Sequence, residues 1–342
     1  MTDAAVDSGE APPLGAPPAP ARPSRRARLL RAGAWVVTAG LLAFLFWRTP
    51  FSQVLAAVRT AAPWTLPVAL LSLVAIYLGD SFAIWKTFGW FLARLSLAEV
   101  LVVRGATYLL AAINYSVGQG AIVYFVHRAT GAPVLRGAAT VLLIMGINVL
   151  ALLMLTTFGL VVSPDVPHGL YVIVAVAYAG LAVYVAAVIA KPRWLASRPI
   201  FDVLLAAGLV GHLRALVVRL PHIAALMASQ ILILRAFGVV VPLVAALASL
   251  PVMFFVAVLP ISVQGIGTTQ TAMVFFFARY APGADQPARE AVVLAASLVW
   301  QVVSVGFQAL LGVACLRSRV GRDLRRSTAA AAAAAGPPAA AP

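Results

Sequence analysis

The chain has 342 residues, 63% of them hydrophobic and only 10% charged. A soluble domain carries about 25% charged residues, and several apolar runs here exceed about 18 residues, so composition excludes a soluble globular domain and implies a polytopic helical membrane protein. The 25 Lys and Arg against 10 Asp and Glu lie between apolar runs rather than in any nucleic-acid module, so they read as topogenic charge and attraction to anionic lipid.

Residues 1–30 are rich in Ala and Pro, then basic, and cannot bury enough apolar surface to fold; a disordered cytoplasmic tail is expected. The run 32–47 follows an Arg cluster but lacks a small-residue cleavage site, so it reads as an uncleaved first span. Trp47 and Trp64 flank the connection to a second span, 64–85, as interface aromatics. That span contains Asp80, the carboxylate most clearly inside an apolar run. Two short arms come next, 100–113 and 121–127, each short for a span of about 20 residues. Between them is a polar tip, Asn114-Tyr115-Ser116-Val117-Gly118-Gln119-Gly120.

Long runs 133–162 and 169–190 predict two more spans. In 199–220, Phe201, Leu204, Leu205, Leu209, Leu213, Leu216 and Leu220 recur at helical spacing among Asp202, Arg214 and Arg219, which predicts an interfacial amphipathic helix on the cytoplasmic side. A span over 221–240 follows. The run 242–259 then leads to a second break, Leu259-Pro260-Ile261-Ser262-Val263-Gln264-Gly265-Ile266-Gly267-Thr268-Thr269-Gln270, and 268–280 leads away. Pro260 lacks a donor N–H, and Gly265 and Gly267 permit backbone shapes that other residues resist. The last span is 288–316, and 317–342 is an Arg then Ala/Pro tail read as disordered. Residues 31–316 thus form a single transmembrane domain.

Most Lys and Arg fall in 22–31, 86–99, 128–136, 191–219 and 317–326, with Arg48, Arg59, Arg104, Arg235, Arg279 and Arg289 as exceptions. This asymmetry places both termini in the cytoplasm. Residues 100–127 then enter and leave from one side, and 242–280 from the other. The expected fold class is an all-α polytopic membrane protein with an inverted-repeat pattern: about six full spans plus two oppositely directed re-entrant hairpins, or about eight spans if each arm crosses.

Broken, polar backbone inside lipid is tolerated only where it is buried in protein or lines a cavity. Helix N-termini after the tips suit a phosphate, and hydroxyl and amide groups there hold a headgroup without a costly buried charge. The candidate substrate-binding set is Asn114, Ser116, Gly118, Gln119, Gly120, Ser262, Gln264, Gly265, Gly267, Thr268, Thr269 and Gln270. The competing reading is that the glycines only allow close helix packing. Asp80 is a candidate intramembrane ion-pair member, with Arg104 its better partner and Lys86 on a different face. His127, next to Arg128, reads as an interfacial histidine; His168, His212 and His222 lack metal-ligand spacing, and the single cysteine, Cys315, suggests neither a metal nor a redox role. No catalytic triad, phosphate-binding loop or paired catalytic carboxylate is visible, so no metal, cofactor or enzymatic activity is expected.

Leu259-Pro260-Ile261-Ser262, Gly265 and Gly267, followed by an apolar arm and a long final span, resemble the lysylphosphatidylglycerol synthase transmembrane-region family of flippase-like membrane proteins. The tip at 114–120, continuing to Arg128 and Gly131, is similar to that family's first-half motif, and the resemblance covers about residues 30–316. It implies translocation of a phospholipid or lipid-linked sugar between leaflets, coupled in some members to a separate aminoacyl-lipid synthase domain. Only a short tail follows Leu316, so lipid aminoacylation by this chain is not expected. The family often has an Arg and a Glu where this chain has Thr269 and Gln270, and an acid and an Arg where it has Ala121 and Tyr124. The family's substrate and any ion coupling therefore do not carry over with those positions. The expected function is flipping of an amphipathic, anionic lipid across the inner membrane, with membrane lipids and a separate lipid-modifying enzyme as partners. The alternatives are a secondary transporter of a small polar solute and a non-transporting partner of a lipid-modifying enzyme.

Overall fold

A computed structural model describes residues 25–111, 115–162, 169–258 and 265–318. They form helices α1 (Arg25–Arg48), α2 (Phe51–Arg59), α3 (Thr65–Phe91), α4 (Leu97–Ala111), α5 (Tyr115–Thr130), α6 (Val134–Val162), α7 (Gly169–Ala190), α8 (Arg193–Ala196), α9 (Pro199–Ala236), α10 (Leu243–Val258), α11 (Thr268–Phe277) and α12 (Gln286–Arg317). Among the described residues there is no strand.

Length separates two kinds of helix. At about 1.5 Å per residue, crossing a hydrocarbon core of about 30 Å takes about 20 residues. α3, α6, α7, α9 and α12 are long and apolar enough, and α1 with α2, bent by 81° at their junction, passes as a sixth. The protein is therefore an all-α polytopic membrane protein. α4 and α5 have 15 and 16 residues, and α10 and α11 have 16 and 10. These short helices form two pairs, α4 on α5 and α10 on α11.

Helix starts follow local chemistry. Ser96 and Glu99 form a capping box at α4: the Ser96 backbone N–H donates to Glu99 at 2.8 Å, and the Glu99 N–H donates to the Ser96 hydroxyl at 3.2 Å. The Asp285 side chain caps α12 by accepting from the Ala288 N–H at 2.8 Å, with Pro287 in the first turn.

Small residues set the crossings. α3 packs on α9, α6 on α9 and α10, α4 on α12, α5 on α6, and α11 on α12. Lipid gives helices no hydrophobic drive to associate, so close backbone approach matters. A Cβ on Gly159 would meet the Ala248 backbone between α6 and α10. One on Gly312 would meet Leu109 Cβ at 2.6 Å between α12 and α4, and one on Gly79 would meet His222 Cα at 3.0 Å between α3 and α9. The largest buried cluster spans α6, α9, α10, α11 and α12. A second one joins α3, α4, α5 and α6 through Phe88, Val103, Ile122 and Val141. α7 buries little of itself and presents Val172, Ile173, Val176 and Val183 outward, as a lipid-facing helix does.

Three elements depart from the sequence reading. α1 starts at Arg25, inside the stretch taken as a tail, because Arg25–Arg31 is made of good helix formers that extend the first span. The connection after Trp47 holds a helix of its own, α2, which packs on α12. Residues 199–220 are not a separate amphipathic helix: they continue into the following span as α9. The buried face Ala215, Leu216, Arg219, His222, Ile223 and Met227 runs through Pro221 without a break. The interruption lies earlier, at Gly208, whose φ of 55° and ψ of −176° are non-helical.

Candidate functional site

Three ionisable side chains from three helices meet inside the helix bundle. Asp80 sits on the buried face of α3 with Ile76, Tyr77, Ile84 and Phe88. Arg104 of α4 donates through Nε to one carboxylate oxygen, and Arg219 of α9 donates through Nη1 to the other. Their residues are 1%, 9% and 4% exposed, so the cluster is inside the protein. Arg219 also donates through Nε to Asn148 Oδ1 on α6, and the Arg104 guanidinium lies 4.5 Å from the Tyr108 ring centre. His222 Nδ1 lies 3.1 Å from the Ile76 carbonyl, one turn beyond Arg219.

Two guanidiniums face one carboxylate. Each carboxylate oxygen has its own charge-assisted donor, which offsets much of the cost of burying Asp80. The trio still carries more positive than negative formal charge, and intramembrane charge is retained where it has work to do. Asp80, Arg104, Gln119, Asn148 and Arg219 line a cavity walled by Ile84, Phe88 and Met145. It leaves about 20 Å³ for water-molecule centres, room for about one water and too little for a headgroup.

Of the residues singled out in the sequence, the structure brings together Asp80, Arg104 and Gln119. Lys86 stays apart, 4.2 Å from the Trp85 ring centre. Asn114, Ser262 and Gln264 lie outside the described residues, as does the Ser116 side chain. Gly118 is buried where its Cβ would meet Ala111 across the α4/α5 pair, and Gly120 is exposed. Among the described residues, Gly265–Gln270 do not line the Asp80 cavity. Their polar groups close the helix break itself. Gln270 is fully buried and accepts from the Gly267 N–H at 2.7 Å, and the Thr268 hydroxyl donates to the Gly265 carbonyl at 3.0 Å. Gly267 has a φ of 87°, and its Cβ would meet Leu41 of α1 at 2.9 Å. Thr269 is half-buried beside them.

Arg219 and Asn148 were missed in the sequence. The sequence pattern puts Arg219 among the cytoplasmic basic residues of 191–219; the signal against that is its place on the stripe that continues through His222 and Ile223. Asn148 is a single amide in the long run of α6. A second ion pair, Arg48 to Glu290 at 2.9 Å, joins the end of α1 to α12, with Gln286 donating to the same carboxylate oxygen at 2.9 Å. Among the described residues, no group of His, Cys, Asp and Glu is arranged to hold a metal ion.

An apolar groove lies further along α6, which also lines the cavity. Val149, Leu152 and Thr156 line it with Ile173 and Ala177 of α7 and Phe255 of α10. It leaves about 80 Å³ for water-sized centres. Met145 borders the cavity and Leu152 the groove, and at i, i+7 they share one face of α6.

No curated protein matches the chain. The family described as Lysylphosphatidylglycerol synthase TM region matches residues 31–312, which include every residue of the cavity and the groove. That match extends over most of the sequence, and the chain belongs to the Lysylphosphatidylglycerol synthase TM region family.

Proposed function

We propose that this protein flips an amphipathic lipid with an anionic headgroup across the inner membrane, with both termini in the cytoplasm. The observation that carries the reading is a buried cluster with excess positive charge and an apolar groove further along the same helix, α6. Guanidiniums recognise phosphate oxygens, and the groove suits an acyl chain. The family membership supports lipid as the cargo.

In this reading α4/α5 and α10/α11 are re-entrant hairpins entering from opposite faces. Their lengths support that, and so does the packing. Exchanging α3–α6 with α9–α12 turns the α4/α12 contact into α10/α6, α5/α6 into α11/α12, and α3/α4 into α9/α10, all of which exist. Such a pattern is that of an internal repeat, and opposed entry of the two helix pairs makes it an inverted one that rocks about a central site. Gln119 carries the first tip's chemistry to that site. The second tip, held against α1, acts as the hinge.

The test is flipping of fluorescent anionic and zwitterionic phospholipids in proteoliposomes by the wild type and Arg219→Gln. Losing one charge-assisted contact of about 1.5 kcal/mol or more predicts a drop of at least about tenfold for the anionic lipid. Unchanged flipping in the variant removes the cluster from the lipid path. Wild-type protein that is folded yet inactive on every lipid shifts the reading to a solute transporter or a partner of a lipid-modifying enzyme.

A further inference from the structure

We infer that the Asp80 carboxylate is a resident stand-in for the ligand's phosphate, and that an oxyanion enters the cavity by displacing it from Arg219 and Arg104. The inference rests on the reading of this cluster as the headgroup site. Asp80 engages the two guanidiniums through separate oxygens, the same pairing that two oxygens of a phosphodiester make. With the carboxylate in place the cavity has room for about one water, so a phosphate cannot simply be added to it. Exchange is the remaining route. A singly charged phosphodiester in place of the carboxylate keeps both guanidiniums paired, and the displaced Asp80 carboxylate takes up a proton from water rather than stay a buried unpaired charge. Asn148, which already accepts from Arg219, and Gln119 supply amide groups at the cavity wall.

Exchange also has a mechanical consequence. Asp80 ties α3 to α4 and to α9 at once, and Gly79 lets α3 approach α9 one residue earlier. Freeing Asp80 releases both ties together, so ligand entry and loosening of α3 are one event. The closed form is then the form without ligand.

The decisive measurement is the unfolding temperature of the full-length chain in a neutral detergent, for wild type, Asp80→Asn and Asp80→Asn/Arg219→Gln. Each is titrated with inorganic phosphate at constant ionic strength, and separately with micelles carrying phosphatidylglycerol or phosphatidylcholine. Asp80→Asn should show a saturable rise larger than the wild type's, and the double variant should lose that excess. A rise with phosphatidylglycerol alone assigns the site to a lipid headgroup; a rise with inorganic phosphate as well assigns it to the phosphate group itself. If Asp80→Asn does not fold, Asp80→Ser, which leaves the same two guanidiniums free for the oxyanion, should show the same excess response. No excess response in a folded variant overturns the stand-in. Arg219-dependent flipping alongside that result leaves the proposed function standing.

Discussion

Gln270 is a candidate binding residue whose side-chain oxygen the backbone already takes. It lies in the motif that carries the family resemblance, yet its side chain is fully buried and accepts from the Gly267 N–H. Gln270→Ala leaves that buried N–H without its partner, and stability should fall by about 1–3 kcal/mol, read as a lower unfolding temperature. The protein that remains folded should flip lipid at the wild-type rate. Lost flipping with unchanged stability would instead place Gln270 in the lipid path. The contrast with Asp80 is instructive. A lone carboxylate in an apolar run was visible in the sequence, and Arg104, one of the few Arg set deep in a run, was its natural partner. Arg219 was hidden because a buried Arg and a solvated Arg leave the same mark on an amphipathic pattern; only the helix packed against it tells them apart. For Gln270 the sequence showed a polar amide at a helix start but not whether the backbone or a ligand would take it.

At the level of elements, period and length made the long helices readable, since an apolar run of the right length has few other fates in a membrane. Breaks were harder. The end expected near residue 220 was put beside Pro221, but a proline is tolerated inside a membrane helix when neighbours satisfy the freed carbonyl. The real interruption is Gly208, whose backbone geometry is one that only glycine adopts readily. The Gly208 carbonyl accepts from His212 Nδ1 at 2.6 Å, and His212 Nε2 faces the Tyr184 hydroxyl of α7 at 2.7 Å, so the kink fastens α9 to α7. A Cβ at Gly208 would meet nothing within 4 Å. Any penalty in Gly208→Ala therefore comes from the backbone alone, about 1–3 kcal/mol. Thermal unfolding in detergent reads it, and an unaltered midpoint would mean that α9 straightens there without cost.

For the whole molecule, the charge count and the packing both divide the chain into two halves, from independent premises. The count needs only loops and their Lys and Arg. The packing needs only which helices touch, and it maps onto itself when the two halves are exchanged. What neither supplies is depth, because a helix pair that enters and returns by the same face does so whether it crosses fully or turns back midway. The length of α4 and α5, about 22–24 Å each, favours turning back. A membrane-impermeant thiol reagent decides it. With Cys315 replaced by Ala, Cys at Gly131 and Cys at Gly283 should react from opposite faces. Cys at Val117, which is 52% exposed near the start of α5, should resist the reagent from the face opposite Gly131, because a re-entrant pair would put that position at mid-depth. Labelling of Val117→Cys from that opposite face would make α4 and α5 full spans. The Asp80 cluster would then lie between complete helices rather than at a hairpin, and the two halves could not rock about it in the way proposed.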